Sequence, residues 1–482
     1  MVSGVLSALL LIRAATQSLS PDELGLWSFS FSTVGYFLLL EFGVSSSLGR
    51  LFADPVANRD NKAISGWMLL AIMVLSLQAI IVFAIGFLLK DPVIDWFDIP
   101  KHLVAEAKSL WMWLIVLQAL SMPGKVFPGV IFAQNRVYHI HLFSIISDWV
   151  KIGFFYAGIT MGSGVMSYAY AAAAALLVTQ ISYFLIVFCG ADRIHFHWVA
   201  IPFRHLRELF SYSGAIFVGS LATQAIGASQ GMIITKLLGL DALAIFTITS
   251  RLPKLASDLV LKPFNAASSR WVLQYCGDQK EKFRGEYSVI TRLTLLTLGT
   301  IAFGAILVNG AFVKWWTKTE YYGGDMLTVA ICLALFPVTI NQIFSLAFHL
   351  TKQMAAYTYA LLGASIAEFA ACIIFVKQFG LIGIPYATLA IGMGFSIWFH
   401  IIVGGKMIGV NGGRMLIREA LWIIISFGLT TAALLWLYPL LSLSGFSLFL
   451  LCCVIAALCT LPLLGRIAWL VAAFRKTQPL GK

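Results

Sequence analysis

The chain has 482 residues and a formal net charge of +12 at pH 7, and 60% of its residues are hydrophobic while 11% are charged. Soluble globular domains contain about 25% charged residues, so this composition excludes a soluble globule. The mean hydropathy of +0.89 reflects apolar residues along the whole chain, which also excludes a cleaved signal peptide followed by a soluble enzyme.

Apolar stretches of about 20 residues recur from end to end, and their length is typical of spanning helices rather than of barrel strands of about ten residues. We therefore predict an all-α polytopic membrane protein with about fourteen transmembrane helices. The predicted spans are residues 2–18, 24–48, 64–89, 109–133, 140–160, 165–189, 211–235, 242–266, 288–312, 326–350, 355–376, 381–403, 418–439 and 445–465. The longest connections, 90–108, 190–210 and 267–287, are predicted to be amphipathic segments at the membrane surface.

Lys and Arg residues are distributed unequally between the two sets of connections. One set holds nineteen of them and the opposite set holds seven. The positive-inside rule therefore predicts that both termini lie in the cytoplasm and that the chain is a multi-pass protein of the cell inner (plasma) membrane. This asymmetry accounts for most of the net charge, so the charge does not indicate nucleic acid binding.

The seven Cys residues lie almost all inside predicted helices without CxxC spacing, and no His has a carboxylate or Cys at ligand spacing. We therefore expect no disulfides, no metal site and no cofactor. The chain also lacks the G-x-x-x-x-G-K-[ST] motif of P-loops, so we expect its energy to come from an ion gradient or the membrane potential.

An internal repeat appears at an offset of about 219 residues. Leu19–Ser28 aligns with Leu238–Thr247, and Asp148 aligns with Glu368. Because this offset spans six predicted helices, the two copies have parallel topology, as in transporters built from two like halves. We predict a six-helix bundle over 1–190, a cytoplasmic linker over 191–210, a second pseudo-symmetric six-helix bundle over 211–404, and two extra helices with a cytoplasmic tail over 405–482. Such bundles are expected to enclose a cavity and to work by alternating access.

The segment Leu24–Arg50 begins with Leu-Gly-Leu-Trp and continues through Glu41-Phe-Gly to a serine run before its final arginine. In this pattern, and in Phe127–Arg136 and Leu238–Arg251, the sequence resembles the polysaccharide-biosynthesis (oligosaccharide flippase) family of the multidrug/oligosaccharidyl-lipid/polysaccharide (MOP) exporter superfamily. The resemblance implies a flippase, not an enzyme, that moves an undecaprenyl-pyrophosphate-linked oligosaccharide to the outer leaflet for surface polysaccharide assembly. The first span departs from the family, since it has about seventeen residues, contains Arg13 and has no basic residue before it.

The expected partners begin with the substrate that the resemblance implies. The substrate is a lipid-linked glycan, whose anionic head group a basic cavity handles. Membrane lipids, glycan polymerase machinery and a coupling H⁺ or Na⁺ are further expected partners.

Ten ionisable residues inside the predicted spans are candidates for a functional role. An ionisable residue at the bilayer centre costs at least about 2.5–3.5 kcal/mol on insertion scales, so these residues are expected to face a cavity or a partner. Six are basic and four are acidic, which favours an anionic pyrophosphate or acidic sugar over a cationic drug as substrate. They are Arg13, Glu41, Lys125, Asp148, Lys151, Arg251, Lys254, Asp258, Lys262 and Glu368.

The eighth predicted helix gives the clearest candidate site. Arg251, Lys254, Asp258 and Lys262 are spaced three, four and four residues apart, which places them within an arc of about 80° on one helix face. We predict that Arg251 and Lys254 bind the substrate head group and that Asp258 is their counter-charge. For Lys262 the alternative is that its ammonium simply reaches water at the membrane surface.

Three further basic residues are predicted to bind substrate. Arg13 is the only charge in the first span, and the alternative is an ion pair with Glu41. Lys125 lies between two Pro-Gly pairs that break the fourth predicted helix. Lys151 lies one turn after Asp148, and the alternative is that these two residues neutralise each other.

The four acidic residues Glu41, Asp148, Asp258 and Glu368 are predicted to bind a coupling ion or to form ion pairs, and the sequence leaves both roles open. Two other functions remain as alternatives. A cation-coupled exporter of small compounds has the same fold, although a basic interior disfavours it. A membrane glycan polymerase is disfavoured because the outward connections, at most about twenty residues each, carry no catalytic constellation.

Overall fold

The structure is a computed structural model of the chain. It describes residues 2–190, 193–199, 205–206, 209–210, 217, 229–276, 279–317, 319–351, 354–437 and 446–477.

The chain divides into two compact units, Met1–Leu243 and Ala244–Lys482. Among its described residues, the first unit contains nine complete helices and the helical residues 229–238. The nine helices are α1 (Val2–Ser18), α2 (Pro21–Phe37), α3 (Val44–Leu51), α4 (Ala53–Ala57), α5 (Asn61–Trp96), α6 (Val104–Gly124), α7 (Val126–Ala133), α8 (Val137–Thr160) and α9 (Met166–Cys189).

The boundary between the units falls inside the next helix, α10 (Leu240–Thr249), and the remaining helices belong to the second unit. These are α11 (Arg251–Cys276), α12 (Lys280–Trp316), α13 (Asp325–Leu350), α14 (Met354–Phe379), α15 (Gly383–Ile391), α16 (Ile397–Phe399), α17 (Gly405–Ile408), α18 (Gly412–Leu437), α19 (Phe446–Cys459) and α20 (Leu461–Thr477). Two π-helical turns, Gly392–Ser396 and His400–Gly404, connect α15, α16 and α17.

The predicted all-α polytopic fold is confirmed. Thirteen of the fourteen predicted spans coincide with described helices, and the remaining one, 211–235, lies mostly outside the described residues. Within the described part of the chain, eight helices are long and apolar enough to cross a membrane, or nine if the bent pair α19 and α20 is one span. The predicted six-helix bundles and their linker stay a prediction.

Helix lengths differ from the prediction because helices continue beyond their apolar stretches. α5 runs to Trp96 and α12 begins at Lys280, so the predicted surface segments 90–108 and 267–287 are largely continuations of α5, α6, α11 and α12. Their predicted location at the membrane surface stays a prediction. The charged ends of these helices extend past the apolar stretch that a hydropathy reading detects.

Several predicted spans are interrupted, and three interruptions coincide with intramembrane charges. Glu41 ends a 3₁₀ turn, Leu38–Glu41, which is followed by the positive-φ residues Phe42 (φ 50°) and Gly43 (φ 71°). Lys125 separates α6 from α7, and Arg251 begins α11 directly after a turn at Ser250. Interrupted helices leave backbone polar groups unpaired, which membrane proteins tolerate only inside protein or beside a polar cavity.

Small residues allow close helix packing in the first unit. A β-carbon on Gly129 of α7 would lie 2.7 Å from the β-carbon of Leu48 on α3. Leu48 of α3, Met68 of α5 and Val130 of α7 belong to one buried apolar core, together with Phe52, which directly follows α3. Val44, the residue after the break at Gly43, belongs to the same core.

Candidate functional site

The Glu41 carboxylate lies at the centre of a buried polar cluster in the first unit. It forms an ion pair with the Lys125 ammonium, and it accepts hydrogen bonds from Ser45 Oγ at 2.7 Å and Gln118 Nε2 at 3.4 Å. Gln78 Nε2 donates to the Glu41 backbone carbonyl at 3.2 Å. The structure thus brings together two predicted site residues from separate helices, and Lys125 neutralises Glu41.

The partner of Glu41 bears on the alternative considered for Arg13. The alternative for Arg13 is an ion pair with Glu41. In the structure, the ion pair of Glu41 is with Lys125. Arg13 is half-buried on α1, where its backbone carbonyl accepts a hydrogen bond from Thr16 Oγ1 at 3.1 Å. Its predicted role in substrate binding stays a prediction.

Lys151 on α8 is held by aromatic rings. Its Nζ donates to the Tyr168 hydroxyl at 3.2 Å, and it lies 4.7 Å from the centre of the Tyr168 ring and 5.7 Å from that of Phe31. Lys151 and Asp148 do not form an ion pair among the described residues. The Asp148 carboxylate lies near Gly4 on α1, and a β-carbon built on Gly4 would be 3.6 Å from Asp148 Oδ2. The Lys151 ammonium is therefore contacted by one hydroxyl and by the faces of two aromatic rings.

A cavity of about 210 Å³ is lined by contacts of both Lys151 and Glu41. Phe31 and Tyr168 form one wall, and Gln118 and Ser121 supply polar atoms. This volume is large enough for several water molecules. Aromatic rings beside amide and hydroxyl groups suit the apolar faces and hydroxyls of a sugar.

The predicted basic face of α11 is present in the second unit. Arg251 is half-buried, and its Nε is buried without a hydrogen-bond partner among the described residues. Lys254 and Asp258 are exposed, and the Lys254 Nζ lies 5.2 Å from the centre of the Phe246 ring. No ion pair joins Asp258 to either base in the described part of the chain. Arg251 therefore offers a buried donor that a ligand could satisfy.

Glu368 on α14 is buried, with 9% of its surface exposed. Its Oε1 accepts a hydrogen bond from Thr388 Oγ1 at 2.6 Å, and no described Lys or Arg forms an ion pair with it. A buried carboxylate that lacks a cationic partner is expected to bind a proton or a metal cation.

The pattern of a family described as "Polysaccharide biosynthesis protein" matches residues 2–268, which is more than half of the chain. The chain belongs to the polysaccharide biosynthesis protein family. The matched region includes Arg13, Glu41, Lys125, Lys151 and Arg251, so the resemblance found in the sequence is confirmed at the level of the family.

Solved structures similar to this family member include multidrug transporters and a lipid II flippase. An inward-facing multidrug resistance MATE family transporter has a TM-score of 0.70 at 14% identity, covering 84% of this chain and 95% of its own. The lipid II flippase MurJ, in an inward closed conformation, has a TM-score of 0.68 at 15% identity, covering 96% and 97%. A eukaryotic MATE transporter has a TM-score of 0.58 at 16% identity, covering 86% and 98%. At these identities the similarity shows the fold. No match was found among curated proteins.

One charged cluster in this polysaccharide biosynthesis family member was missed from the sequence. The fully buried Glu419 on α18 accepts hydrogen bonds from Arg292 Nε at 2.7 Å and Arg466 Nε at 2.9 Å. The Arg466 guanidinium also lies 4.4 Å from the centre of the Trp469 ring and 5.9 Å from that of Trp422. The cluster joins α12, α18 and α20.

A sequence signal for two of these residues existed. Arg292 and Glu419 fall inside predicted spans, so a complete search for intramembrane charges would have found them. Arg466 was assigned to a connection because the last span was predicted to end at residue 465. That assignment is wrong, since α20 continues to Thr477 and brings Arg466 to Glu419.

Proposed function

We propose that this protein is a flippase that moves a polyprenyl-pyrophosphate-linked oligosaccharide from the cytoplasmic to the outer leaflet of the inner membrane, for surface polysaccharide assembly. The family assignment supports a role in polysaccharide biosynthesis. The fold supports transport, and one solved structure that shares it is a lipid II flippase. In this proposal both termini are cytoplasmic, and the two predicted bundles exchange access between the two sides of the membrane.

The buried Nε of Arg251 carries the proposal for the substrate head group. A guanidinium donor without a partner is costly in a membrane protein, and a pyrophosphate oxygen would satisfy it. Lys254 lies one turn away on the same face of α11 and adds a second positive charge. In this proposal the negative charge of Asp258 offsets part of the positive charge of Arg251 and Lys254. Arg13 makes a further contact with the substrate.

Lys151 and the 210 Å³ cavity support binding of the sugar portion. The Phe31 and Tyr168 rings would contact the apolar face of a sugar ring, while Gln118 bonds its hydroxyls. Lys125 and Glu41 neutralise each other, so their proposed role is to orient Gln118 rather than to carry the substrate's charge.

Glu368 is the residue we propose for coupling to H⁺ or Na⁺, because it is buried and its described partner is the Thr388 hydroxyl. Asp148 and Asp258 are further proposed coupling residues. The protein would change no covalent bond of its substrate, and glycan polymerase machinery would act on the translocated lipid as a partner.

Deletion of the gene tests the proposal. Lipid extracts of the deletion strain are expected to accumulate polyprenyl-linked glycan on the cytoplasmic leaflet, and mass spectrometry identifies it. The wild-type protein is expected to restore export to the deletion strain, and Arg251→Ala is not. The control variant Lys377→Gln, which removes an exposed charge near the end of α14, is expected to restore export. Arg251→Lys keeps the positive charge but loses the bidentate hydrogen bonding of the guanidinium, so partial restoration of export is expected. Normal export in the deletion strain would refute the proposal.

A second candidate function is cation-coupled export of small compounds. The buried carboxylate of Glu368 favours it, as does the fold shared with a multidrug resistance transporter. This function predicts drug resistance on expression that Glu368→Gln abolishes, together with normal surface polysaccharide in the deletion strain.

A further inference from the structure

A second cavity, of about 390 Å³, lies at the end of the first unit that the proposed orientation places in the cytoplasm. Three chain connections meet there: the turn from α4 to α5, the turn from α7 to α8, and the segment that follows α9. The cavity shares no lining residue with the one beside Lys151.

Two arginines line this cavity. Arg59 and Arg193 are both exposed, and neither forms an ion pair with a described residue. Asn61 and Gln134 add side-chain amides to the same lining. The described lining contains no carboxylate, so its positive charge is not neutralised from within.

The nearest described carboxylate on the chain, that of Asp60, is already occupied. It caps α5 by accepting hydrogen bonds from the backbone N–H groups of Lys62 at 3.1 Å and Ala63 at 3.0 Å. Asp54, on α4, is exposed and does not line the cavity. Among the described residues, therefore, no carboxylate pairs with either guanidinium.

The floor of the cavity is apolar. Ile64 and Ile194 are buried members of the core of the first unit, and Val56 packs against them. A hydrogen bond from the His197 backbone N–H to Ser65 Oγ at 3.0 Å holds the segment after α9 against the start of α5. The cavity thus combines a cationic rim with a carbon-lined base.

Arg59 occupies a backbone position that favours glycine. Its φ is 53°, in the left-handed region, and it follows α4 in a C-terminal motif closed by hydrogen bonds from Arg59 N to Val56 O at 3.1 Å and from Asp60 N to Pro55 O at 3.0 Å. Glycine commonly fills this position at the end of a helix. An arginine is unfavourable for the backbone there, yet it places a guanidinium at the rim.

We propose that this cavity binds a phosphate ester. Guanidinium groups match phosphate oxygens with paired hydrogen bonds, and the Asn61 side-chain amide can donate to a remaining oxygen. The apolar floor suits the carbon part attached to the phosphate, which inorganic phosphate lacks. The same chemistry occurs in the head group of an anionic phospholipid and in a soluble phosphate ester, and the experiment below separates these sources.

The test measures binding to the purified full-length protein. sn-Glycerol 3-phosphate is titrated by calorimetry, and native mass spectrometry compares retention of phosphatidylglycerol with retention of phosphatidylcholine. Arg59→Gly removes one guanidinium and relieves the left-handed backbone, so a loss of binding in this variant cannot be ascribed to misfolding. Arg59→Gly and Arg193→Gln are each expected to weaken binding at least about tenfold, the effect of losing one charged hydrogen bond.

Two control variants match these changes. Lys62→Gln removes an exposed charge beside the cavity but not from its lining, and Asn135→Gly places glycine at another left-handed position, φ 57°. Both controls are expected to bind like the wild type.

Binding of glycerol 3-phosphate that depends on both arginines supports a soluble ester. Selective retention of phosphatidylglycerol alone, with the same dependence, supports a lipid head group. Equal binding by wild type and both arginine variants, no binding of either probe, or an equal loss in Lys62→Gln would overturn the proposal. None of these readouts depends on glycan transport, so the result is independent of the proposed flippase function.

Discussion

Glu419→Gln is expected to be the most destabilising single substitution in the cluster that Glu419 forms with Arg292 and Arg466. The wild-type cluster holds two positive charges and one negative charge, and the two arginine side chains are 10% and 13% exposed. Gln removes the negative charge and leaves two buried guanidiniums close together. Removing one member of a buried ion pair costs about 3–5 kcal/mol, so a loss of this size in the free energy of unfolding is expected.

Arg466→Gln gives a smaller expected loss because it leaves a balanced pair of Glu419 and Arg292. The substitution removes hydrogen bonds of 2.9 Å and 3.2 Å to the carboxylate and the contacts with the Trp422 and Trp469 rings. A hydrogen bond to a charged group contributes about 1.5–3 kcal/mol, so the expected loss lies near that range. The order of the two variants therefore follows from the net charge that each leaves in the cluster.

The assay is denaturant unfolding of the purified protein in detergent, followed by tryptophan fluorescence. Arg414→Gln is the matched control, since Arg414 is an exposed arginine near the start of α18, and a surface substitution is expected to change stability by no more than about 0.5 kcal/mol. If Glu419→Gln is no more destabilising than Arg466→Gln, the account in which the Glu419 carboxylate holds two buried guanidiniums together is wrong.

Three further predictions concern other parts of the chain. Lys125→Met is expected to lower the free energy of unfolding by about 3–5 kcal/mol, and by more than Glu41→Gln does. The reason is that the unpaired charge left by Lys125→Met is on Glu41, whose side chain is 7% exposed, whereas Glu41→Gln leaves the charge on Lys125, which is 27% exposed. The reverse order in an unfolding titration would contradict this. Gly25→Ala is expected to lower the free energy of unfolding by about 1–3 kcal/mol or more, because its β-carbon would lie 2.0 Å from the Leu240 carbonyl oxygen. Gly153→Ala is the control: its β-carbon would meet no atom within 4 Å, so it is expected to be neutral in the same titration. Glu368→Gln is expected to abolish the dependence of liposome transport on an H⁺ or Na⁺ gradient, and persistence of that dependence would remove its coupling role.

The sequence predicts the membrane class and the positions of the helices well, because both follow from the length of apolar stretches. It also places Arg251, Lys254 and Asp258 on one face of α11, since helical periodicity relates residues that are close in sequence. Helix ends are less predictable, because charged turns extend α5 and α12 beyond their apolar cores.

Contacts between distant helices could not be predicted. Lys125 and Glu41 are separated by 84 residues, and no spacing rule identifies which of several carboxylates a lysine contacts. The Lys151 site could not be predicted either, since its partners Phe31 and Tyr168 are aromatic residues among many. Such pairings depend on how helices pack, and that information is not periodic along the chain.

The central claim is that this protein translocates a polyprenyl-pyrophosphate-linked oligosaccharide. The most direct measurement reconstitutes the purified protein in liposomes that contain this lipid with a fluorescent glycan, and a membrane-impermeant quencher reports how much of it reaches the outer leaflet. We expect the wild type and Lys377→Gln to increase the quenched fraction with time, and Arg251→Ala to behave like protein-free liposomes. Equal quenching in wild-type and protein-free liposomes, or full activity of Arg251→Ala, would contradict the account.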